Sequence, residues 1–151
     1  MPKGQVPPRP TAAARGADVL LDTGVLVALF DKADARHAAA SAWLARCGAQ
    51  LHTVESVLSE TAFFLPPLRR AAVADLAAAG TVRVHPADIS AFKRISAILR
   101  KYADLDPDWA DASLVWLAEQ TGIHHIATLD VRDFSAYRIH GRSKFILEPL
   151  A

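Results

Sequence analysis

The chain has 151 residues, 52% of them hydrophobic, and 17 Lys and Arg against 16 Asp and Glu give a net charge of +1. That length fits one compact domain burying roughly 70% of the surface its unfolded form exposes, and no apolar run approaches the ~20 residues of a membrane span. The charge balance is far from that of proteins that coat nucleic acid, without deciding for or against RNA; a lone Cys47 rules out an intramolecular disulfide or a thiolate metal cluster and fits a reducing cytoplasm.

Residues 1–17 hold four prolines and three basic side chains but no continuous apolar core of the secretory kind. They are expected to form a flexible tail ahead of a single domain over residues 18–151. Asp18–Leu21 reads as a short buried strand closed by Asp22 and Thr23. Gly24–Phe30 and the alanine-rich Ala35–Cys47 read as helices. Leu51–Val54 is the second strand, and Glu55–Leu65 follows as a helix ended by Pro66-Pro67. Leu68–Ala79 is helical by composition and stops at Gly80, and Thr81–His85 is the third strand. Ala87–Tyr102 places Ile89, Phe92, Ile95, Ile98 and Leu99 on one helical face. Pro107 is expected in the first turn of the next helix, which runs through Ala110–Ala118 to Gly122. His125–Leu129 is the fourth strand, followed by a polar turn at Asp130–Asp133 and a last extended segment at Lys144–Leu147. Strands separated by helices imply an α/β fold, a parallel sheet with helices on both faces.

In open parallel sheets, sites form outside the carboxyl ends of the strands where the strand order reverses. Asp22 ends the first predicted strand and Asp130 the fourth, so neighbouring strands would bring both to one edge. Each reads equally well as a cap of the following helix or turn. Glu60 and Asp111 sit within apolar helical segments; the plain alternative for Glu60 is an exposed position between Ser59 and Thr61. Asp108, three residues before Asp111, shares a helix face with it, but interaction with the helix dipole is its preferred reading. If the four acids converge, charges ~5 Å apart at an effective dielectric of ~20 repel by roughly 3 kcal/mol per pair. A cation is then needed, and oxygen-only ligands select Mg²⁺ or Mn²⁺. Such an ion lowers the pKa of a water and stabilises charge on a phosphodiester, which is nuclease-like chemistry.

Four runs in this order resemble the motifs of PIN domains: Leu21-Asp22-Thr23-Gly24-Val25-Leu26-Val27-Ala28-Leu29, Ser59-Glu60-Thr61-Ala62, Ala110-Asp111-Ala112-Ser113-Leu114, and Thr128-Leu129-Asp130-Val131-Arg132-Asp133-Phe134. Together they span nearly all of the chain except the tail. The resemblance implies a PIN-like, Rossmann-like three-layer fold with a central parallel sheet of four to five strands. It implies a Mg²⁺- or Mn²⁺-dependent single-strand ribonuclease and, at this length, a VapC-type toxin whose VapB-type antitoxin occludes the acidic site. Asp22, Glu60, Asp111 and Asp130 would be the catalytic quartet, with Asp22, Asp111 and Asp130 as metal ligands. Thr23, Asp108, Thr128 and Asp133 would support them, although Asp133 also reads as a turn cap. Homodimers are usual in such a family, and Phe63, Phe64 and Leu65 are one candidate contact surface, though they fit a core helix equally.

Arg132, Arg138, His140, Arg142 and Lys144 cluster in sequence around the last turn, where they either hold an RNA backbone or are solvated charge. His124 and His125 point to opposite faces of a strand and cannot ligate one ion together. Trp43, Trp109 and Trp116 fall in predicted helices and are expected in the core. Two other readings use the same residues: a metal-dependent phosphatase or nuclease with a non-RNA substrate, and a non-catalytic module whose acidic pocket receives a partner's arginine. A nucleotide-binding Rossmann domain is disfavoured because Asp22-Thr23-Gly24-Val25 is neither a dinucleotide fingerprint nor a P-loop.

Overall fold

A computed structural model of the chain describes residues 16–150, so the tail expectation for residues 1–15 lies outside the described residues. The first strand, β1 (Gly16–Leu21), begins ahead of the boundary placed at Asp18. Its Val19, Leu20 and Leu21 are all buried, as a strand covered on both faces requires. Then come α1 (Thr23–Phe30) and α2 (His37–Cys47), which ends at Gly48 in the left-handed conformation that a residue without Cβ adopts freely. β2 (Ala49–Val54), α3 (Glu55–Phe63) and α4 (Pro67–Ala78) follow, with Pro67 in the first turn of α4 where its missing N–H costs nothing.

The chain continues through β3 (Val82–His85), α5 (Ile89–Lys101), a 3₁₀ turn at Ala103–Leu105, α6 (Trp109–Thr121) and β4 (His125–Ala127). It closes with α7 (Val131–Ala136), β5 (Arg138–Ile139), β6 (Ser143–Lys144) and β7 (Ile146–Leu147). Five strands form a parallel sheet in the order β3-β2-β1-β4-β7, while β5 and β6 pair antiparallel as a separate hairpin. Strand order grows outward from β1 to one side through β2 and β3, then jumps back to β4. With right-handed crossovers, that reversal sends α5 and α6 to the face opposite α1–α4. The result is the expected three-layer α/β architecture.

α6 is the central helix of the core, with every residue from Ala110 to Ala118 buried. A helix apolar on all sides is one enclosed on all sides. Phe134, Tyr137 and Phe145 fill the space beyond it in edge-to-face contacts, with ring centroids 5.1 Å and 5.3 Å from Phe134.

Several local expectations are corrected. Pro107 precedes the cap residue Asp108 and lies outside α6, because Asp108 takes the capping position instead. The polar turn at Asp130–Asp133 is the start of helix α7, capped by Asp130. The extended segment at Lys144–Leu147 divides, because β6 returns to β5 while β7 joins the sheet beside β4. In α5, Ile95 and Ile98 are buried, but Ile89 and Phe92 are exposed, because a helical period marks the apolar face without saying whether another element covers all of it. Trp43 and Trp116 are core residues as expected; Trp109, in the first turn of α6, is 52% exposed. Leu65 is buried, which leaves Phe63, Phe64 and Leu68 as the exposed apolar group at the α3–α4 corner.

Candidate active site

The reversal of strand order falls between β1 and β4, which pair directly, Leu21 beside Ala127. The Asp22 N–H continues the ladder by donating to the Ala127 carbonyl at 3.0 Å. Asp22 and Thr128 therefore leave the sheet side by side at its carboxyl edge, as the strand-end argument requires. Three of the helices that begin at this edge are capped by an acid of the candidate site. Asp22 caps α1 through Oδ1, which accepts from the Thr23 N–H at 2.8 Å. Asp108 caps α6, accepting from the Asp111 N–H at 2.7 Å. Asp130 caps α7, accepting from the Asp133 N–H at 3.1 Å. The capping reading and the site reading are thus both true of these residues, because a cap at a strand end is also a carboxylate at the sheet edge.

Asp22, Thr23, Glu60, Asp108, Asp111 and Asp130 line one open cleft of about 500 Å³. Glu60 reaches it from α3 and Asp111 from α6. Asp34, in the α1–α2 loop, and Phe64 also line it. Thr128 ties the edge together: its hydroxyl donates to Asp22 Oδ2 at 2.6 Å, and the same oxygen accepts from the Asp130 N–H at 3.0 Å. Asp111 is held by Tyr137, whose hydroxyl donates to Oδ2 at 3.0 Å from a fully buried ring.

The electrostatics follow from crowding acids around the floor of the cleft, where Asp22 and Asp111 are buried. Burial first, then Asp108 and Asp130, push the Asp22 carboxyl up to about 6, against the bonds from Thr128 and Thr23. Burial, then Asp108 and Asp22, push Asp111 up to about 8, with the Tyr137 hydroxyl working the other way. Glu60 is raised for the same reasons, burial first and then Asp108 and Asp22. Asp133 is raised by burial and by Asp130, with Arg132 partly offsetting both. Burial and the Asp111 carboxylate raise the Tyr137 phenol, so it remains a protonated donor.

This donor set fits a hard divalent cation. Asp111, Asp130 and Asp133 each offer an oxygen within 4.8 Å of the others, a group that takes in Asp133 and leaves out Asp22, whose two oxygens are engaged by Thr23 and Thr128. Thr23 Oγ1 is buried with no well-aligned hydrogen-bond partner among the described residues, and its approach to Glu60 eases that carboxyl's rise. An orphaned hydroxyl beside like charges is what a cation with its water shell would satisfy.

Of the basic residues read from the sequence, Arg132 is beside the acids, in the first turn of α7. Arg138 folds back on the carbonyls of Ser135, Ala136 and Tyr137. His140 donates its N–H to Glu119 at 2.7 Å, which anchors the hairpin tip carrying Arg142 about two helical turns along α6 from Asp111. The expected basic cluster near the cleft is therefore split. His124 and His125 lie at the opposite, amino end of β4. Sequence reasoning missed Tyr137 and Asp34. Nothing local signals the Tyr137 contact, which spans 26 residues; Asp34 reads as one more acid in a polar loop.

A parallel three-layer fold with acids from two strand ends and two helices converging at the reversal point defines the class: the chain belongs to the PIN-domain family, whose sequence profile it matches over residues 19–139. It is 32% identical over 136 residues to Ribonuclease VapC26 of Mycobacterium tuberculosis (strain ATCC 25618 / H37Rv), a match covering 87% of this chain and 100% of that protein. The crystal structure of Mycobacterium tuberculosis VapC20, described as a Sarcin-Ricin loop cleaving toxin, superposes with a TM-score of 0.68 at 23% identity, covering 72% of this chain and 86% of that one. The second likeness speaks to the fold.

Proposed function

We propose that this protein is a divalent-metal-dependent endoribonuclease acting as a VapC-type toxin in the cytoplasm, with RNA as substrate and a VapB-type antitoxin as partner. The observation that carries the reading is the convergence of Asp22, Glu60, Asp111 and Asp130 on one cleft, with two of them raised to about 6 and about 8. The likeness to Ribonuclease VapC26 supplies the substrate class.

Asp111, Asp130 and Asp133, with Asp22 beside them, would hold Mg²⁺ or Mn²⁺. When bound, the ion supplies charge neutralisation for the phosphodiester and acidifies the attacking water. Asp22 is kept in one orientation by Thr128 and the Thr23 N–H, and Asp111 by Tyr137. Fixed donors cost no reorganisation during the reaction. The Thr23 hydroxyl is free to bond the attacking water or a phosphate oxygen. Glu60, half-buried with its carboxyl raised, accepts the water's proton at a carboxylate oxygen. Water oxygen joins phosphorus, the bond from phosphorus to O3′ breaks, the departing O3′ takes a proton from solvent water, Glu60 returns its proton to solvent, and the products are a 5′-phosphate and a 3′-hydroxyl.

An antitoxin segment bearing a cation would seat in the same acidic cleft. The exposed Phe63, Phe64 and Leu68 are the apolar face proposed for a homodimer. The test of the activity is cleavage of single-stranded RNA, tRNA and ribosomal fragments with Mg²⁺, Mn²⁺ or EDTA, beside an Asp111→Asn variant prepared identically. Cleavage that needs metal and is lost in the variant is expected. Equal behaviour of the two proteins would sink the reading.

A further inference from the structure

The exposure of Trp109 has no account in the core or in the acidic cleft. Its ring and that of Phe92 lie with centroids 6.1 Å apart, and both are large apolar groups left to water, 52% and 45% exposed. They form one wall of a second pocket of about 290 Å³, completed by His85, Ser56, Ser113 and Glu55. That volume is at the small end for ligand sites and suits a compact planar group. Ser56 Oγ is closed off from solvent and has no hydrogen-bond partner among the described residues. Ser113 donates to the Trp109 carbonyl and keeps its acceptor capacity. His85 bonds His52 through Nε2, and burial, with His52 and Arg83 nearby, lowers its pKa, so the ring is neutral. Stacking surface, neutral donors and acceptors, and a single carboxylate at the rim make a poor phosphate site and a good site for a heterocycle.

Position identifies the heterocycle. The pocket opens where β2 and β3 end, on the same carboxyl edge as the acidic cleft at β1 and β4. Strands ~4.8 Å apart put the two openings roughly 10 Å from each other. The divider is the start of α6, where Asp108 lines the cleft and the next residue, Trp109, lines the pocket. A single strand lying across that helix end with its scissile phosphate at the acids would bring a nearby base over Trp109.

We infer that this pocket receives one unpaired nucleobase of the RNA substrate by stacking on Trp109, with the inclined Phe92 ring packed against the base's edge, and that Glu55 and Ser113 read its polar edge. The inference rests on the ribonuclease reading above. A carboxylate accepts from an exocyclic amino group, so adenine, guanine or cytosine is favoured over uracil.

The test is cleavage of a single-stranded RNA that the wild type cuts, with an abasic nucleotide placed at each position in turn, using the wild type, Trp109→Ala and Trp109→Phe. Thermal melting of each variant reports whether it is folded. Stacking of one base corresponds to roughly 5- to 150-fold in affinity. The wild type should lose kcat/KM by such a factor at one position near the cut. Trp109→Ala should show the same loss on intact RNA, mainly in KM, and no further loss at that abasic position; Trp109→Phe should recover part of it. An alanine variant as active as wild type, or equally sensitive to the abasic position, overturns the inference. Should the wild type cut no RNA, the ribonuclease reading fails by itself. Anisotropy of labelled single-stranded RNA in EDTA then decides the pocket: weaker binding by Trp109→Ala upholds it, and equal binding removes it.

Discussion

Asp22 and Asp111 carry the cost of the site. Each keeps its proton to higher pH in the fold than in the unfolded chain, because burial and neighbouring acids oppose ionisation. The folded protein therefore binds more protons than the unfolded chain between about pH 4 and about 8, and its stability falls as pH rises through that window. For Asp22 alone the loss is on the order of 3 kcal/mol. In EDTA, melting temperature should drop steadily from pH 5 to pH 8, and Mg²⁺ should restore it at the upper end. An Asp111→Asn variant should melt higher than wild type at pH 8 in EDTA while losing cleavage, the pattern of a site strained for function. A melting curve that is flat with pH and indifferent to Mg²⁺ would count against the crowded-carboxylate account. Tyr137→Phe removes the one side-chain donor to Asp111 among the described residues. It should cost about 1.5–3 kcal/mol, as for other hydrogen bonds to charged groups, and move the acid limb of the cleavage profile upward in pH.

At the scale of elements, the helix starts have two duties, and substitution separates them. Asp108→Ala should destabilise by about 1 kcal/mol through loss of the α6 cap, whereas Asp108→Asn keeps the cap to within a few tenths. If charge at this position matters to the reaction, both variants slow cleavage alike; if only the cap matters, the asparagine variant cleaves as wild type does. The same scale shows what could be read in advance. Helices with a long apolar period or alanine-rich composition, α1 to α6, were legible because periodicity and composition are local. α7 was not, since six residues beginning Val-Arg-Asp carry too little period to distinguish a helix from a turn. The first turn of α5 and Trp109 were misread for one reason: an amphipathic pattern says which face is apolar, not whether another element arrives to cover it.

For the whole molecule, the decisive contact is β1 beside β4. Thr128 joins the two strand ends and both aspartates, so Thr128→Val should leave the secondary structure intact, lower stability by about 1–3 kcal/mol and reduce cleavage more than its distance from the scissile bond suggests. Circular dichroism, denaturant titration and RNA cleavage on one preparation would check all three. Sequence by itself determined the α/β class and the succession of strands and helices along the chain up to β4, because their periods are local; it offered Asp22 and Asp130 as candidates because polar residues closing apolar strands stand out, and Glu60 and Asp111 through the resemblance of their motifs. Tertiary structure alone decided that β1 and β4 are neighbours, that Tyr137 reaches Asp111, that the basic hairpin is carried away toward Glu119, and that Trp109 faces water beside Phe92. These are contacts between residues distant in the chain. They follow from how helices pack over a sheet, a balance of burial over the whole core that no window of sequence contains.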